Sequence, residues 1–315
     1  MKSYTNIILT IAYILIGSIL CANGCGKKNT VTDFNAYTEE IRQWQTNRTT
    51  QIQREDGWLS LAGLFWLKDG ENFIGTDPSN AVVFPVGSTQ AKAGIIILHN
   101  GNLTIIAERE AKIRYQDSAF TRMKLTSDES GEAQPTILTT NSLSFYAIKR
   151  GDRFGIRVKD KNNPVLKNFK GLNFFPIDSA WRIVAIYKPY PEPKIIEVAS
   201  IIRTVDTDTC PGAVIFQIDG RTCSLDVTTD PGTRELFVMF TDETTGKETY
   251  GNGRQLNTAP PDEKGKVILD FNKAFNWPCA YTPYATCPIP PKQNHIPVRI
   301  EAGEKNYPGA TDNVH

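Results

Sequence analysis

Residues 94–107 read GIIILHNGNLTIIA and decide the fold class of this chain. Two apolar runs flank Asn100-Gly101, a dipeptide that favours the tight two-residue turn of a β-hairpin. The same arrangement recurs at Gly151-Asp152, between FYAIKR and RFGIRV, and at Asp219-Gly220, between AVIFQI and RTCSLDV. Each of these patterns predicts a pair of antiparallel strands.

Similar runs fill much of the chain after residue 57. Stretches such as WLSLAGLFWL (58–67) and AVVFP (81–85) are bounded by Gly, Asn, Asp and Pro, which is typical of strands. A further hairpin is predicted to join ELFVMF to KETYG through Thr245-Gly246. Strands do not alternate with long helices, which argues against a parallel nucleotide-binding sheet. We therefore predict a mostly β protein with antiparallel sandwich or barrel-like sheets in one or two sub-domains.

One amphipathic helix precedes the strands. Asp33 can cap it, and apolar residues recur at mostly three- and four-residue steps, which predicts a helix from about Phe34 to Gln53. The proline cluster YKPYPEP (187–193) predicts a stiff connector between sub-domains, and the alternative is an internal loop of one continuous sandwich. The predicted divisions are a signal peptide at 1–24, a tether at 25–32, the helical region at 33–56, β sub-domains at 57–190 and 191–306, and a tail at 307–315.

The N-terminus has the pattern of an export signal. Residues 7–20 (IILTIAYILIGSIL) are almost wholly apolar but short for a stable transmembrane helix. The small residues before Cys25 resemble a bacterial lipoprotein signal, in which the cysteine at the cut becomes the lipidated first residue. Ala22 stands where that pattern has Leu, and the alternatives are an ordinary cleaved signal or an uncleaved anchor. We expect an exported protein that acylation of Cys25 holds on a membrane in the bacterial envelope, facing the periplasm.

Charge and cysteine content narrow the possible partners. The chain has 35 Lys and Arg against 34 Asp and Glu, with no basic block, which argues against nucleic acid as a partner. In an oxidising compartment, an even number of cysteines after Cys25 suggests disulfides. Cys279 and Cys287, in the turn-prone CAYTPYATC, are predicted to form one, and the alternatives are free thiols or a metal or redox pair. Cys210 and Cys223 could pair across their hairpin, depending on register.

A proline-rich stretch near the C-terminus, residues 270–304, is the predicted site region, and it is called the C-terminal segment below. It concentrates polar, aromatic, Cys and His residues in a sequence unsuited to helix or central strand, which is typical of a rigid shaped loop. Asp270 and Asn272 can hold a metal, a water or sugar hydroxyls, or can simply cap the turn that follows. Asp270, His295 and Glu304 are the acid–base candidates for a hydrolase.

Arg254, in TYGNGRQL, is the candidate for binding an anion. Gly251 and Gly253 permit close approach of a carboxylate, phosphate or sulfate, whereas the alternative is an internal ion pair with Asp242 or Asp270. Aromatic side chains in the C-terminal segment can line a ligand or pack in the core. The ligand-binding candidates are Tyr250, Arg254, Asn272, Trp277, Tyr281, Tyr284 and Asn294.

Several strings resemble one known family. They are GWLSLAGLFWLKDGENFIGTDPSNAVVFP, RGDRFGIRVKD, FTDETTGKETYGNGRQL and DFNKAFNWPCAYTPYATCPIPPKQNHIPVRIEAGE. Together they are similar to the prokaryotic domain-of-unknown-function family 1684, over nearly the whole mature chain. That family has no assigned activity, so the resemblance implies the extent of the folded unit and transfers no catalytic residue. FIGTDPSNAVVFP is also similar to the opening of forkhead-associated sandwiches, but their paired Ser/Asn recognition loops are not evident.

Three classes of function remain. We favour an envelope protein that binds a small polar or anionic ligand in a pocket formed by the C-terminal segment. The alternatives are a hydrolase that uses the same residues, with or without a metal, and a structural protein of envelope assembly. No motif of a serine hydrolase, zincin, NTPase or dehydrogenase occurs in the sequence; the sequence leaves the cofactor and the metal dependence open, and no residue is assigned as a metal ligand.

Overall fold

The computed structural model describes residues 33–129, 134–229 and 234–309. These ranges contain two α-helices, α1 (Phe34–Ile52) and α2 (Pro164–Lys167), and nineteen β-strands in three sheets. The mostly β, largely antiparallel fold with one N-terminal helix is therefore confirmed. The predicted signal peptide, the tether and Cys25 lie outside the described residues. Neither of the described helices has the length and apolarity needed to cross a membrane.

The first unit of the fold is a sandwich of two sheets. Its strands are β1 (Leu61–Trp66), β2 (Gly70–Gly75), β3 (Val82–Val83), β4 (Gly94–His99), β5 (Asn102–Ala107), β6 (Arg114–Tyr115), β7 (Ser118–Ala119), β8 (Arg122–Leu125), β9 (Leu138–Thr140), β10 (Leu143–Arg150) and β11 (Arg153–Asp160). One sheet has the order β3-β2-β4-β5-β8, and the other has the order β1-β11-β10-β9-β6-β7. All neighbours are antiparallel except β2 and β3.

The sandwich forms because alternate side chains of both sheets face one apolar core. In β4 and β5 every second residue is buried, which is the pattern expected of strands with one covered face. Phe84 from one layer meets Phe145 from the other, with ring centroids 5.1 Å apart. The predicted turns at Asn100-Gly101 and Gly151-Asp152 join β4 to β5 and β10 to β11, as the sequence indicated.

The second unit is a curled eight-stranded sheet. Its strands are β12 (Arg182–Ala199), β13 (Val205–Ile218), β14 (Arg221–Thr229), β15 (Leu236–Asp242), β16 (Arg254–Thr258), β17 (Lys266–Asp270), β18 (Phe275–Asn276) and β19 (His295–Ile296). The order is β17-β12-β13-β14-β15-β16-β18, and β19 pairs in parallel with β15. Thr258 of β16 donates to the carbonyl of Ile268 in β17 (2.7 Å), so strands far apart in this order come together around the core.

Two local predictions differ from the structure. Residues 187–193 lie inside the long strand β12, where the pairing with β13 shifts between Pro189 and Lys194 because proline has no amide hydrogen for the ladder. Thr245-Gly246 is not the turn of a hairpin to KETYG. The strand that follows β15 in the sheet is β16, and residues 243–253 form a longer loop between them.

Helix α1 begins where the sequence predicted. The Asp33 side chain accepts hydrogen bonds from the amides of Asn35 and Ala36, at 3.0 Å each. Tyr37, Ile41 and Ile52 are buried. Phe34, at the first helical position, is instead 51% exposed. The buried face of α1 packs on the second unit, near the start of the C-terminal segment, where Tyr37 reaches Asp270.

The loop before Arg254 allows a test of how closely the chain packs around Gly253 in the second unit. Gly253 has φ +77°, and a Cβ there would lie 2.8 Å from Cγ of Pro290 and closer still to the Phe240 carbonyl. We expect Gly253→Ala to lower the free energy of unfolding by about 1–3 kcal/mol, measured by urea denaturation. Gly251→Ala is the matched control, because its Cβ would meet no atom nearer than 4.0 Å. Equal losses in both variants would contradict the prediction.

Candidate functional site in the C-terminal segment

Arg254 was the candidate for anion binding, and it lies wholly inside the second unit. Nη2 of its guanidinium donates to Oδ2 of Asp242 (2.9 Å) and to the carbonyl of Ile300 (3.0 Å). Nη1 donates to the carbonyls of Ala302 and Glu304. Burial lowers the pKa of Arg254, and the charge of Asp242 opposes that shift. Because the residue is 0% exposed, protein groups occupy the place where a ligand anion was expected.

Asp242 completes this arrangement. Its Oδ1 accepts from the amide and the hydroxyl of Thr244 (2.8 and 2.6 Å) and from the amide of Ile300 (3.2 Å). Its Oδ2 accepts from Arg254. Both carboxylate oxygens therefore have protein donors, as a buried charge requires. The internal ion pair that the sequence left open as an alternative is the arrangement present.

Asp270 and Asn272 are buried side by side and bind the first helix. Tyr37 donates its hydroxyl to Asp270, at 2.9 Å from Oδ1 and 3.1 Å from Oδ2. Asn272 donates to the Tyr37 oxygen (2.9 Å) and to the carbonyl of Asp178 (2.8 Å). Asp270 also caps the short 3₁₀ turn Phe271–Lys273. Burial raises the pKa of Asp270, and the hydrogen bonds from Tyr37 and Asn272 oppose that shift.

Glu304 forms a second buried contact with the same helix. Its Oε2 lies 3.5 Å from Nε of Arg48 in α1, and its Oε1 accepts from Nδ2 of Asn276 (3.0 Å). The Tyr281 hydroxyl also donates to Oε1. Burial raises the pKa of Glu304, while the charge of Arg48 and the hydrogen bond from Tyr281 lower it. The Arg48 guanidinium also lies over the Phe275 ring, 4.5 Å from its centroid.

His295 is separate from both carboxylates. Its ring is exposed, with Nδ1 at 3.0 Å from the Thr241 hydroxyl and Nε2 at 3.3 Å from the Glu243 carboxylate. In the described part of the chain, no hydrogen bond joins any two of Asp270, His295 and Glu304. Therefore no two of these three candidates form a hydrogen-bonded acid–base pair. Within the same ranges, no cluster of three or more His, Cys, Asp or Glu residues could hold a metal.

The remaining ligand-binding candidates support the loop itself. Trp277 is buried and meets Phe237 edge-on, with ring centroids 5.7 Å apart, and Tyr281 is also buried. The Asn294 side chain is buried and bonds the backbone of Asp226 and Met239. The partly exposed ligand-binding candidates are Tyr250 and Tyr284.

The predicted disulfide between Cys279 and Cys287 is present, with 6.2 Å between the Cα atoms. Cys210 and Cys223 are free and buried, so the pairing considered across their hairpin does not form. The register explains this: Cys223 lies opposite Phe216, whereas Cys210 lies opposite Lys194 of β12. The turn at Asp219-Gly220 between β13 and β14 is as predicted.

Sequence reasoning missed the helix residues that complete these networks. Those residues are Tyr37 and Arg48, and neither is among the candidates named from the sequence. The available signal was spacing, because Arg48 falls four residues after Trp44 and seven after Ile41, on the stripe that faces the protein. A cation on a covered stripe calls for a buried anion, here Glu304. The partner lies 256 residues later in the chain and cannot be identified from that spacing.

A shallow groove of about 480 Å³ lies elsewhere, at the end of the first unit near Gly101. Lys124 and Lys149 line it, and Lys149 pairs with Glu129 (3.2 Å). No site residue predicted from the sequence lines this groove. The predicted pocket in the C-terminal segment and this open groove are therefore different places.

Removal of Glu304 should loosen the attachment of α1. Removing one partner of a buried ion pair leaves an uncompensated charge, so we expect Glu304→Ala to cost about 3–5 kcal/mol in the free energy of unfolding. Amide hydrogen exchange should then speed up across α1. Glu301→Ala is the matched control, since Glu301 is exposed and pairs with Arg299 at the surface. The urea midpoint of that variant should hardly move, and protection of α1 should be unchanged.

The raised pKa of Asp270 has a definite consequence for stability. The folded state keeps this proton to higher pH than the unfolded chain does, so the contribution of Asp270 falls as pH rises from the ordinary carboxylate pKa through the raised one. Relative to Asp270→Asn, which cannot ionise, the wild-type Tm should fall as pH rises above about pH 4.

Asp262 should make stability depend on pH in the opposite direction, and Asp262→Asn tests this. Amides of Lys266 and Lys264 lower the pKa of Asp262, so its contribution is present above the ordinary pKa and is lost as pH falls. Relative to Asp262→Asn, the wild-type Tm should therefore rise as pH increases toward about pH 4 and change little above it. Thermal melts of the three proteins from about pH 2 to about pH 7 check both signs, and curves that stay parallel over that whole range would refute the assignment.

Two solved structures illustrate what this chain is similar to. An uncharacterized protein of Haloarcula marismortui, solved by solution NMR, is 28% identical over 47% of this chain and 80% of that chain, with a TM-score of 0.38. Mycobacterium tuberculosis EmbR, solved in complex with a low affinity phosphopeptide, is 10% identical over 42% of this chain and 32% of that chain, with a TM-score of 0.20. No curated protein matches.

The family comparison concerns the second unit. Residues 167–305 match the family described as "Protein of unknown function (DUF1684)". This range begins at the end of α2 and includes every strand from β12 to β19 together with the C-terminal segment. The match supports the family predicted from the sequence strings, and in this range the chain is similar to a family of unknown function, DUF1684.

Proposed function

We propose that this chain is an exported, lipid-anchored protein of the bacterial cell envelope with a structural role, in which the C-terminal segment fastens the helix next to the anchor. Of the three classes that the sequence allows, the geometry favours envelope assembly. The predicted ligand pocket in the C-terminal segment is filled by protein groups, because Arg254, Asp270 and Glu304 are buried and engaged.

One observation carries this proposal: the C-terminal segment holds α1 at both ends of its length. Tyr37, in the first turn, donates to Asp270, and Arg48, three turns later, lies against Glu304. An exposed contact between Lys273 and Glu40 lies close to the first of these. Two buried contacts about 16 Å apart along a helix fix both its position and its direction. A pull on the N-terminal end of α1 therefore acts on the whole second unit.

The attachment of α1 matters because α1 follows closely after the proposed lipid anchor. Helix α1 starts two residues after the proposed tether, residues 25–32. Eight residues reach at most about 28 Å when extended, so lipids on Cys25 would keep the folded units close to the membrane surface. Two acyl chains on one cysteine suffice for stable anchoring without a transmembrane helix.

The hydrolase alternative lacks an observation in its favour. General acid–base catalysis needs an acid and a base within hydrogen-bond reach of a substrate. Asp270 and Glu304 are buried and hydrogen-bonded to protein partners, and His295 lies apart from both. We therefore assign the polar residues of the C-terminal segment to attachment of α1.

Lipid labelling of cells that produce the full chain tests the anchor. We expect the protein to incorporate radiolabelled palmitate and to sediment with membranes, because Cys25 is the acylation site. Cys25→Ser should lose both the label and the sedimentation. Cys21→Ser is the matched control, since Cys21 follows bulky Leu20 in the same stretch, and it should keep both.

Three outcomes would each overturn a part of the proposal. Absence of label from the wild-type chain would remove the lipid anchor and leave an ordinary secretory signal. A label that survives in Cys25→Ser but is lost in Cys21→Ser would move the anchor and lengthen the tether. A normally anchored Glu304→Ala variant with α1 as protected as in the wild type would instead remove the fastening role of the C-terminal segment.

A further inference from the structure

Arg157 is a buried cation at the junction of the two units. It lies in β11, and its neighbours Ile156 and Val158 point into the sandwich core, so its own side chain points outward from that sheet. Arg157 is nevertheless only 3% exposed. Trp58 and Thr286 cover it, and Thr286 belongs to the disulfide-closed loop of the second unit.

The hydrogen bonds of this guanidinium are few and long. Nη1 lies 3.4 Å from the Tyr146 hydroxyl, and Nη2 lies 3.4 Å from the Thr286 hydroxyl. Nε has no hydrogen-bond partner. Nε and Nη2 form the side-on fork of an arginine, the edge that binds a carboxylate with two parallel hydrogen bonds. That edge of Arg157 has only one weak contact.

Arg157 also differs from the other buried arginines in lacking an ion pair. Arg48 lies against Glu304, and Arg254 lies against Asp242. No salt bridge in the described part of the chain includes Arg157. An unpaired buried charge costs several kcal/mol, so proteins normally supply a counter-charge or a ligand.

The surroundings add positive charge rather than balance it. Arg150 approaches the same Thr286 hydroxyl (3.0 Å), and its charge is matched by Asp128 through two hydrogen bonds (2.9 and 2.8 Å). Lys159, on the same face of β11 as Arg157, donates to a backbone carbonyl and not to a carboxylate. The guanidinium groups of Arg150 and Arg157 thus converge on the Thr286 hydroxyl. Their two positive charges are matched by one carboxylate, that of Asp128.

The groups around the free fork suit an organic anion. The rings of Trp58 and Tyr146 have their centroids 5.6 and 6.0 Å from the Arg157 Cζ atom. Trp58, Tyr146 and Thr286 are each partly exposed, so the guanidinium lies one side-chain layer below the surface. The Thr286 hydroxyl accepts from both arginines and keeps its own hydrogen to donate to a bound oxygen.

We propose that the junction is a binding site for a small organic carboxylate, held side-on by Nε and Nη2 of Arg157, hydrogen-bonded by Thr286 and flanked by Trp58 and Tyr146. One negative charge on the ligand balances the one unpaired guanidinium. The aromatic walls favour a carboxylate with an apolar or aromatic body over an inorganic oxyanion. This site is independent of the lipid anchor and of the contacts that hold α1.

Calorimetric titration of the full-length protein in detergent tests the site. Sodium benzoate and sodium acetate are the probes, and inorganic phosphate and sulfate are titrated in parallel. We expect one carboxylate to bind per chain, and benzoate to bind more tightly than acetate.

Two variants locate the site. Arg157→Lys keeps the charge but loses the fork, so the Kd of this variant for benzoate should rise by about tenfold or more. Arg153→Lys is the matched control, because Arg153 is exposed on the same strand face and stacks on Trp66, and its Kd should stay within about twofold.

A second variant keeps the test decisive if Arg157→Lys fails to fold. Thr286→Val preserves the shape of the side chain and removes the hydroxyl, and it should weaken benzoate binding while leaving the Tm close to that of wild type.

Three outcomes would contradict the proposal. Absence of carboxylate binding up to about 10 mM would overturn the proposal and leave Arg157 stabilised by its aromatic neighbours alone. Binding of phosphate or sulfate without benzoate would overturn the ligand class. Benzoate binding that is unaffected by both variants would overturn the site.

Discussion

The buried pair of Arg254 and Asp242 is the interaction on which the second unit depends. One guanidinium bonds the end of β15 and three carbonyls of the C-terminal segment, those of Ile300, Ala302 and Glu304. These three residues follow β19, the last strand, so their carbonyls have no ladder partners and need donors from side chains. Arg254 supplies several donors at one point. The end of the C-terminal segment, after β19, is thereby ordered without regular secondary structure.

The ordered segment then binds the first helix. With residues 300–304 held by Arg254, Glu304 faces Arg48, and Asp270 at the other end of the segment faces Tyr37. Each carboxylate is removed from water, and the raised pKa values of Asp270 and Glu304 reflect that burial. Such pairs add little net stability compared with apolar packing, but they require their specific partner. They therefore fix where α1 lies more than how tightly it binds.

Buried arginines that the fold pairs with a carboxylate differ from a buried arginine that it leaves without a counter-charge. Arg48 and Arg254 have buried carboxylates as partners, and their presence in the interior is explained by the fold. Arg157 is as inaccessible as many core residues, yet the chain offers it two rings, two distant hydroxyls and no anion. A polar side chain in the interior is informative when its partners are incomplete. For this reason the junction around Arg157 and Thr286, rather than the filled networks around Arg254, Asp270 and Glu304, is the better place to look for a ligand.

The sequence by itself determined the elements of this protein. Strand alternation, the Asn100-Gly101 and Asp219-Gly220 turns and the Asp33 cap are local signals, because backbone preference and side-chain period act over a few residues. The Cys279–Cys287 disulfide was also within reach, since the seven residues between the two cysteines include a proline and can turn the chain back on itself.

Only the tertiary structure decided which side chains meet. Contacts of Tyr37 with Asp270 and of Arg157 with Thr286 join residues more than 100 positions apart, and no periodicity encodes such a distance. Arg254 was recognisable as important from the glycines before it, but whether its partner is a ligand or Asp242 depends on how β15, β16 and the C-terminal segment pack. Burial follows from the whole fold, and burial is what turned the predicted binding residues into structural ones.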